Sequence, residues 1–69
     1  MEEKMTFRYL HWEFILREDG SIDVYEIRQG DIIGGLIDLG MSFEELENFL
    51  QGKTEQETYD FIQDKIEYY

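Results

Sequence analysis

The residues able to do chemistry are few. His11 is the only histidine in the 69 residues and there is no cysteine. The sequence therefore builds neither a histidine-rich site nor a zinc ribbon and offers no thiol nucleophile, so no metal and no cofactor is expected. Counting back from an Asp19-Gly20 turn sets Glu13 opposite Glu26 and His11 opposite Arg28. A coupled carboxylate pair with one raised pKa is where acid–base catalysis begins, but ordinary strand-surface positions account for Glu13 and Glu26 more simply. In that register His11 has no carboxylate to orient it and no hydroxyl to activate. Gly34-Gly35 fits neither G-x-G-x-x-G nor a Gly-Lys-Ser/Thr phosphate loop, and Glu18 to Asp23 lacks the ligand spacing of a calcium loop. An enzyme is not expected.

The acids are more informative. Lys plus Arg number 6 and Asp plus Glu 17, a net charge of −11. From Asp38 onward nine acids stand against Lys53 and Lys65, which leaves −7 there and −4 before it. Glu57, Asp60, Asp64 and Glu67 recur at i, i+3, i+7 and i+10, so on one helix they form a ridge with neighbours about 5 to 6 Å apart at Cβ. Solvated helix faces usually mix signs, whereas this ridge contains no base, and like charges at that spacing destabilise a helix modestly. The spacing is near that of phosphates along a nucleic-acid strand. Phe61 and Tyr68 fall beside the ridge and away from the apolar stripe, and aromatics framed by carboxylates have the makeup of an interface core with a polar rim. Glu44 and Glu47, with Asn48 and Gln51, extend the same surface from the preceding helix.

The same charge excludes direct nucleic-acid binding and anionic membranes. No apolar run nears the roughly 20 residues of a bilayer span, and Met1-Glu2-Glu3-Lys4 lacks the basic start of a signal peptide. A cytoplasmic protein is expected. Hydrophobic residues at 42% and aromatics at 16%, with no proline, argue for folding over disorder.

The elements that must position these residues follow from periodicity. Thr6 to Leu16 reads as one strand, with Leu10, Trp12, Phe14 and Leu16 on one face. Asp19-Gly20 is read as a two-residue hairpin loop, with Ser21 to Arg28 returning, so that Phe14 lies opposite Tyr25 and Trp12 opposite Ile27. The other face pairs Ile15 with Val24 and Arg17 with Ile22. From Asp31 to Leu39 two readings stay open: a helical face opened by Asp31, or a third strand bent at Gly34-Gly35, which the adjacent glycines favour slightly. Ser42-Phe43-Glu44-Glu45 and Thr54-Glu55-Gln56-Glu57 are capping boxes. The first opens a helix with Phe43, Leu46, Phe49 and Leu50 as its stripe, ended by Gly52. The second opens a helix to about Glu67, with Tyr59, Ile62, Ile66 and Tyr69 as its stripe. The expected fold is one α+β domain over residues 1–69, a small antiparallel sheet packed by two C-terminal amphipathic helices. Small size and an open sheet edge predict a homodimer.

The order of features resembles the small, acidic, dimeric uracil-DNA glycosylase inhibitors of Bacillus phages. An Asp-Gly hairpin returns through Tyr25-Glu26-Ile27-Arg28-Gln29-Gly30. A Ser-started acidic helix follows (Met41 to Glu47), then Gly52 and a Thr-started helix (Thr54-Glu55). About two thirds of the chain is covered, and Asp31 to Gly40 has no counterpart. In that family a helix presents a Phe-Glu pair and a nearby Tyr to the enzyme, boxing a leucine that probes DNA. The alignment sets Leu46-Glu47 at the pair and Leu50 at the Tyr; Glu47 matches, both aromatics are replaced, and Phe49 would supply the missing ring. The resemblance implies a DNA-mimic inhibitor. The expected partner is a basic nucleic-acid-binding protein, a glycosylase or a defence nuclease such as a CRISPR effector, met through Glu44, Glu47, Phe49, Glu57, Asp60, Phe61, Asp64, Glu67 and Tyr68. The competing expectation is an adaptor that docks through its apolar hairpin surface.

Overall fold

The computed structural model describes residues 5–69. Five strands and two helices follow in the order β1 (Met5–Tyr9), β2 (Trp12–Leu16), β3 (Ile22–Glu26), β4 (Asp31–Leu36), α1 (Phe43–Leu50), α2 (Glu55–Lys65) and β5 (Ile66–Tyr68). All strands join one antiparallel sheet in the spatial order β1-β2-β3-β4-β5. The fold is α+β, with the helices on one sheet face, and among the described residues no helix is long and apolar enough to cross a membrane.

The expected single strand from Thr6 to Leu16 is two strands. Leu10 and His11 form a tight turn between Tyr9 and Trp12, which pair, and Leu10 takes φ 57° there. No glycine, asparagine or aspartate marks this turn, so turn chemistry does not reveal it.

The second hairpin forms where expected but slips by one residue. Gly20 N donates to Arg17 O at 3.0 Å and Arg17 N to Ser21 O at 2.8 Å, so the loop holds Glu18, Asp19 and Gly20, with Gly20 at φ +89°. This is the three-residue loop that ends in a left-handed residue. Phe14 therefore faces Val24, Trp12 faces Glu26 and Glu13 faces Tyr25. Because side chains alternate, the slip moves Ile22 and Val24 onto the core face and Tyr25 off it. Glu13 and Glu26 lie on opposite faces and form no pair.

Asp31–Leu36 is the third strand of the expected sheet rather than a helix, and its register shifts by a bulge between Val24 and Tyr25. Both capping boxes are formed, with Ser42 and Thr54 as N-caps. The second helix stops at Lys65, and Ile66 to Tyr68 pair with Leu36 to Gly34. The core joins Trp12, Phe14, Ile22, Val24 and Leu36 of the sheet to Phe43, Leu46, Leu50 and Ile62 of the helices. Each such side chain contributes about 1.5 to 3 kcal/mol on burial. Phe7 stacks on Phe14 and tilts against Phe43, 5.0 Å from each, and Tyr9 Oη donates to Lys53 O at 2.5 Å. Two stripe assignments change. Phe49 is exposed at the margin of α1, and α2 buries Thr58 and Ile62 while Tyr59 and Tyr69 stand exposed.

Candidate functional site

The inward turn of α2 through Thr58 and Ile62 fixes which acids face out. Successive residues rotate 100°, so Asp60 lies opposite that inward face and Glu57 and Asp64 lie between it and Phe61; all three acids are exposed. Glu67 is not on this ridge. It sits on β5 opposite Gly35, and strand alternation turns it to the sheet face the helices leave bare.

The three helical acids are differently engaged. Glu57 Oε1 accepts from Thr54 N at 2.9 Å, and that backbone hydrogen bond, with the Thr54 side chain, holds its carboxyl below the usual range. Asp60 Oδ1 accepts from Gln56 Nε2 at 2.9 Å. Asp64 is 3.8 Å from Lys65 Nζ, so one base does adjoin the row. Glu44 and Glu47 are exposed on α1. Asp60 and Asp64 have no capping duty.

Phe49 and Phe61 meet across the two helices with ring centroids 5.0 Å apart, and Lys53 Nζ lies 4.6 Å from the Phe49 ring centre. Phe61 is half-buried, so the pair forms an anchored aromatic step beside Glu57 and Asp64. Tyr68 does not share it. On β5 it donates to Gln63 Oε1 and borders a groove at the other side of α2.

That groove, of ≈560 Å³, runs past Trp12, Ile33, Tyr59, Gln63 and Tyr68, and a smaller one of ≈410 Å³ continues to Glu55 and Gln56. His11 stands between them. Its Nε2 is 2.9 Å from an Arg28 nitrogen and 3.6 Å from Glu26, and its Nδ1 is 3.4 Å from Glu55. Ile27 N bonds His11 O, so the expected opposition of His11 and Arg28 is off by one and Arg28 reaches the ring from the next position; Glu26 arrives through the same register slip and Glu55 through helix docking. The groove lining contains no serine, threonine or cysteine, so the imidazole has two carboxylates nearby, its hydrogen bond being made with Arg28, and no hydroxyl or thiol beside it to activate except tyrosines. Among the described residues no group of three His, Asp or Glu is placed to hold a metal ion.

A second polar cluster lies on the bare sheet face. Asp23 is fully buried, its carboxylate accepting from Arg17 Nε at 2.5 Å and from Tyr69 Oη at 2.6 Å. The hydrogen bond to Asp23, followed by its charge, raises the Arg17 pKa. No local signal in the sequence marks Asp23, because β5, which leads to Tyr69, continues the helical period of α2.

Comparison with family models, with curated proteins and with solved structures gave no match to this chain.

Proposed function

We propose that this chain is a small acidic inhibitor that binds a basic, nucleic-acid-handling protein and occupies its groove by charge mimicry. The observation that supports the reading is the outward placement of Asp60 and Asp64 on α2, with Asp64 beside the Phe49–Phe61 step. Carboxylates held on a rigid helix next to an aromatic anchor combine long-range steering with a desolvated contact. Glu44, Glu47 and Glu67 widen the negative field to α1 and the bare sheet face. A uracil-DNA glycosylase or a defence nuclease has the complementary chemistry.

The test is capture from bacterial lysate by tagged protein, eluted by a salt step and identified by mass spectrometry, followed by assay of the captured protein's activity on nucleic acid. A basic DNA- or RNA-handling protein, inhibited in that assay and released at moderate salt, is the expected result. Asp60→Lys with Asp64→Lys is expected to weaken capture about tenfold or more with the helix content unchanged. Undiminished capture by that variant overturns the reading. The adaptor alternative now has a narrower surface, since Trp12 and Phe14 are covered by the helices. Ile15 and Tyr25 remain half-buried on the bare face, and salt-resistant binding lost in Ile15→Ala would favour it.

A further inference from the structure

We propose that His11 is a proton-operated latch: a proton and Arg28 compete for the same ring nitrogen, and protonation releases Arg28 from the groove beside α2. The inference does not depend on the proposed inhibitory role.

The lone pair fixes the latched state. Arg28 Nη2 lies 2.9 Å from His11 Nε2. A guanidinium carries only donors and keeps its proton in proteins, so Nε2 is the acceptor. The imidazole is therefore neutral in this arrangement, and its one N–H is at Nδ1, which faces Glu55 Oε1 at 3.4 Å. Glu26 is anchored through Oε1, which accepts from Arg28 N at 2.9 Å. Its Oε2 stands 3.6 Å from the same His11 Nε2.

A second proton on the ring takes the lone pair that Arg28 uses. Nε2 becomes a donor facing a donor, and two like charges stand at hydrogen-bond distance. Around the ring, Glu26 of β3 and Glu55 in the first turn of α2 favour the imidazolium, and Arg28 opposes it. Asp31, Tyr59, Tyr68 and Tyr69 line the grooves without an ion pair to the imidazole.

Exposure decides which group gives way. The His11 side chain is 14% exposed and its ring lies against Trp12, with centroids 3.7 Å apart, whereas the Arg28 side chain is 67% exposed. Arg28 is the one free to swing out, and Nε2–H then donates to Glu26 Oε2. The imidazolium joins β3 to α2 through two carboxylates. The two grooves share His11, Trp12, Arg28 and Tyr59, so Arg28 stands at their junction. Its release opens one continuous groove along α2.

Nuclear magnetic resonance of the intact chain across about pH 5 to 8, where histidine side chains ordinarily change charge, tests the latch. At the upper end the ring is expected to be the Nδ1–H tautomer. The Arg28 Nε–H signal is expected to move with the His11 ring signals at one shared midpoint. Arg28→Ala removes the opposing cation and is expected to tighten proton binding at His11 about tenfold. Lys65→Ala removes the same charge from the far end of α2, about 15 Å away at 1.5 Å per residue, and is expected to leave the midpoint in place. Glu55→Gln removes an anion and is expected to weaken proton binding. An Nε2–H tautomer at the upper end overturns the proposal, and that reading needs only the wild-type chain. So does an Arg28 signal indifferent to the His11 titration, or one midpoint common to Arg28→Ala and Lys65→Ala.

Discussion

Tyr69 Oη donates to the Asp23 carboxylate at 2.6 Å across 46 positions of sequence, and this bond ties β5 to the bare face of β3. Hydrogen bonding to Asp23, then burial, raises the Tyr69 pKa. A raised pKa means that the stabilisation is complete below the ordinary tyrosine range near 10 and is lost as pH rises through the higher folded value. Tyr69→Phe is expected to cost at most about 1 kcal/mol at neutral pH and to flatten the alkaline limb of a stability profile followed by urea unfolding.

Gly34 and Gly35 differ in what they permit. A Cβ at Gly34 would sit 2.4 Å from the Glu67 backbone oxygen, whereas one at Gly35 would meet the Tyr69 hydroxyl at 2.8 Å. Backbone cannot yield as a side chain can, so Gly34→Ala is expected to separate β5 from β4 and cost about 1 to 3 kcal/mol. Gly35→Ala is expected to displace only the tyrosine and to match Tyr69→Phe. Denaturant midpoints of the three variants check the order.

The capping boxes predict acid sensitivity. Backbone hydrogen bonds from Ser42 and Thr54 hold Glu45 and Glu57 below the usual carboxylate range. A lowered pKa gives stability that is present above the ordinary value of about 4.3 and lost as pH falls through the folded value. Thr54→Ala is expected to cost about 1 kcal/mol at neutral pH and Glu57→Gln to reduce the acid dependence, both read from thermal unfolding between pH 2 and 6, an interval of about two units either side of the ordinary value.

Leu10 holds a left-handed conformation at φ 57° while its side chain is half in solvent. The steric cost for a non-glycine residue there is about 1 to 2 kcal/mol, larger than the entropy glycine would lose. Leu10→Gly is expected to stabilise by up to about 1 kcal/mol in urea melts.

The Phe49–Phe61 contact can be separated from its surroundings by a double-mutant cycle to leucine. A coupling of about 0.5 to 1.5 kcal/mol is expected for rings in this geometry, and a value of zero would make the two rings independent surface groups.

Local signals were legible in the sequence and packing signals were not. The two capping boxes announce their helices because Ser42, Glu45, Thr54 and Glu57 satisfy backbone groups within four residues. The Asp-Gly turn was legible as a turn, but its loop length depends on whether Gly20 closes a bulge, and that single residue decided whether Val24 or Tyr25 entered the core. The Leu10-His11 turn carries no turn residue, since the pairing of Tyr9 with Trp12 imposes it. Ile66 to Tyr68 keep the helical period, and only the open side of β4 draws them into a strand. For the candidate site, Asp60, Asp64 and Phe61 follow from helix geometry, whereas the helical period sets Phe49 in the apolar stripe of α1 and its exposure comes from how the two helices pack. Glu67 and Tyr68 left the ridge with that unforeseen strand.

The strands from β1 to β4 each pair with their chain neighbour, and only β5 returns across two helices. Closing a short turn loses far less entropy than closing the long segment between β4 and β5, so the meander can assemble early and the β4–β5 pairing last. Folding is then expected to be sequential in its final step, with the Tyr69–Asp23 bond forming late and the rate of unfolding, more than that of folding, responding to changes in β5.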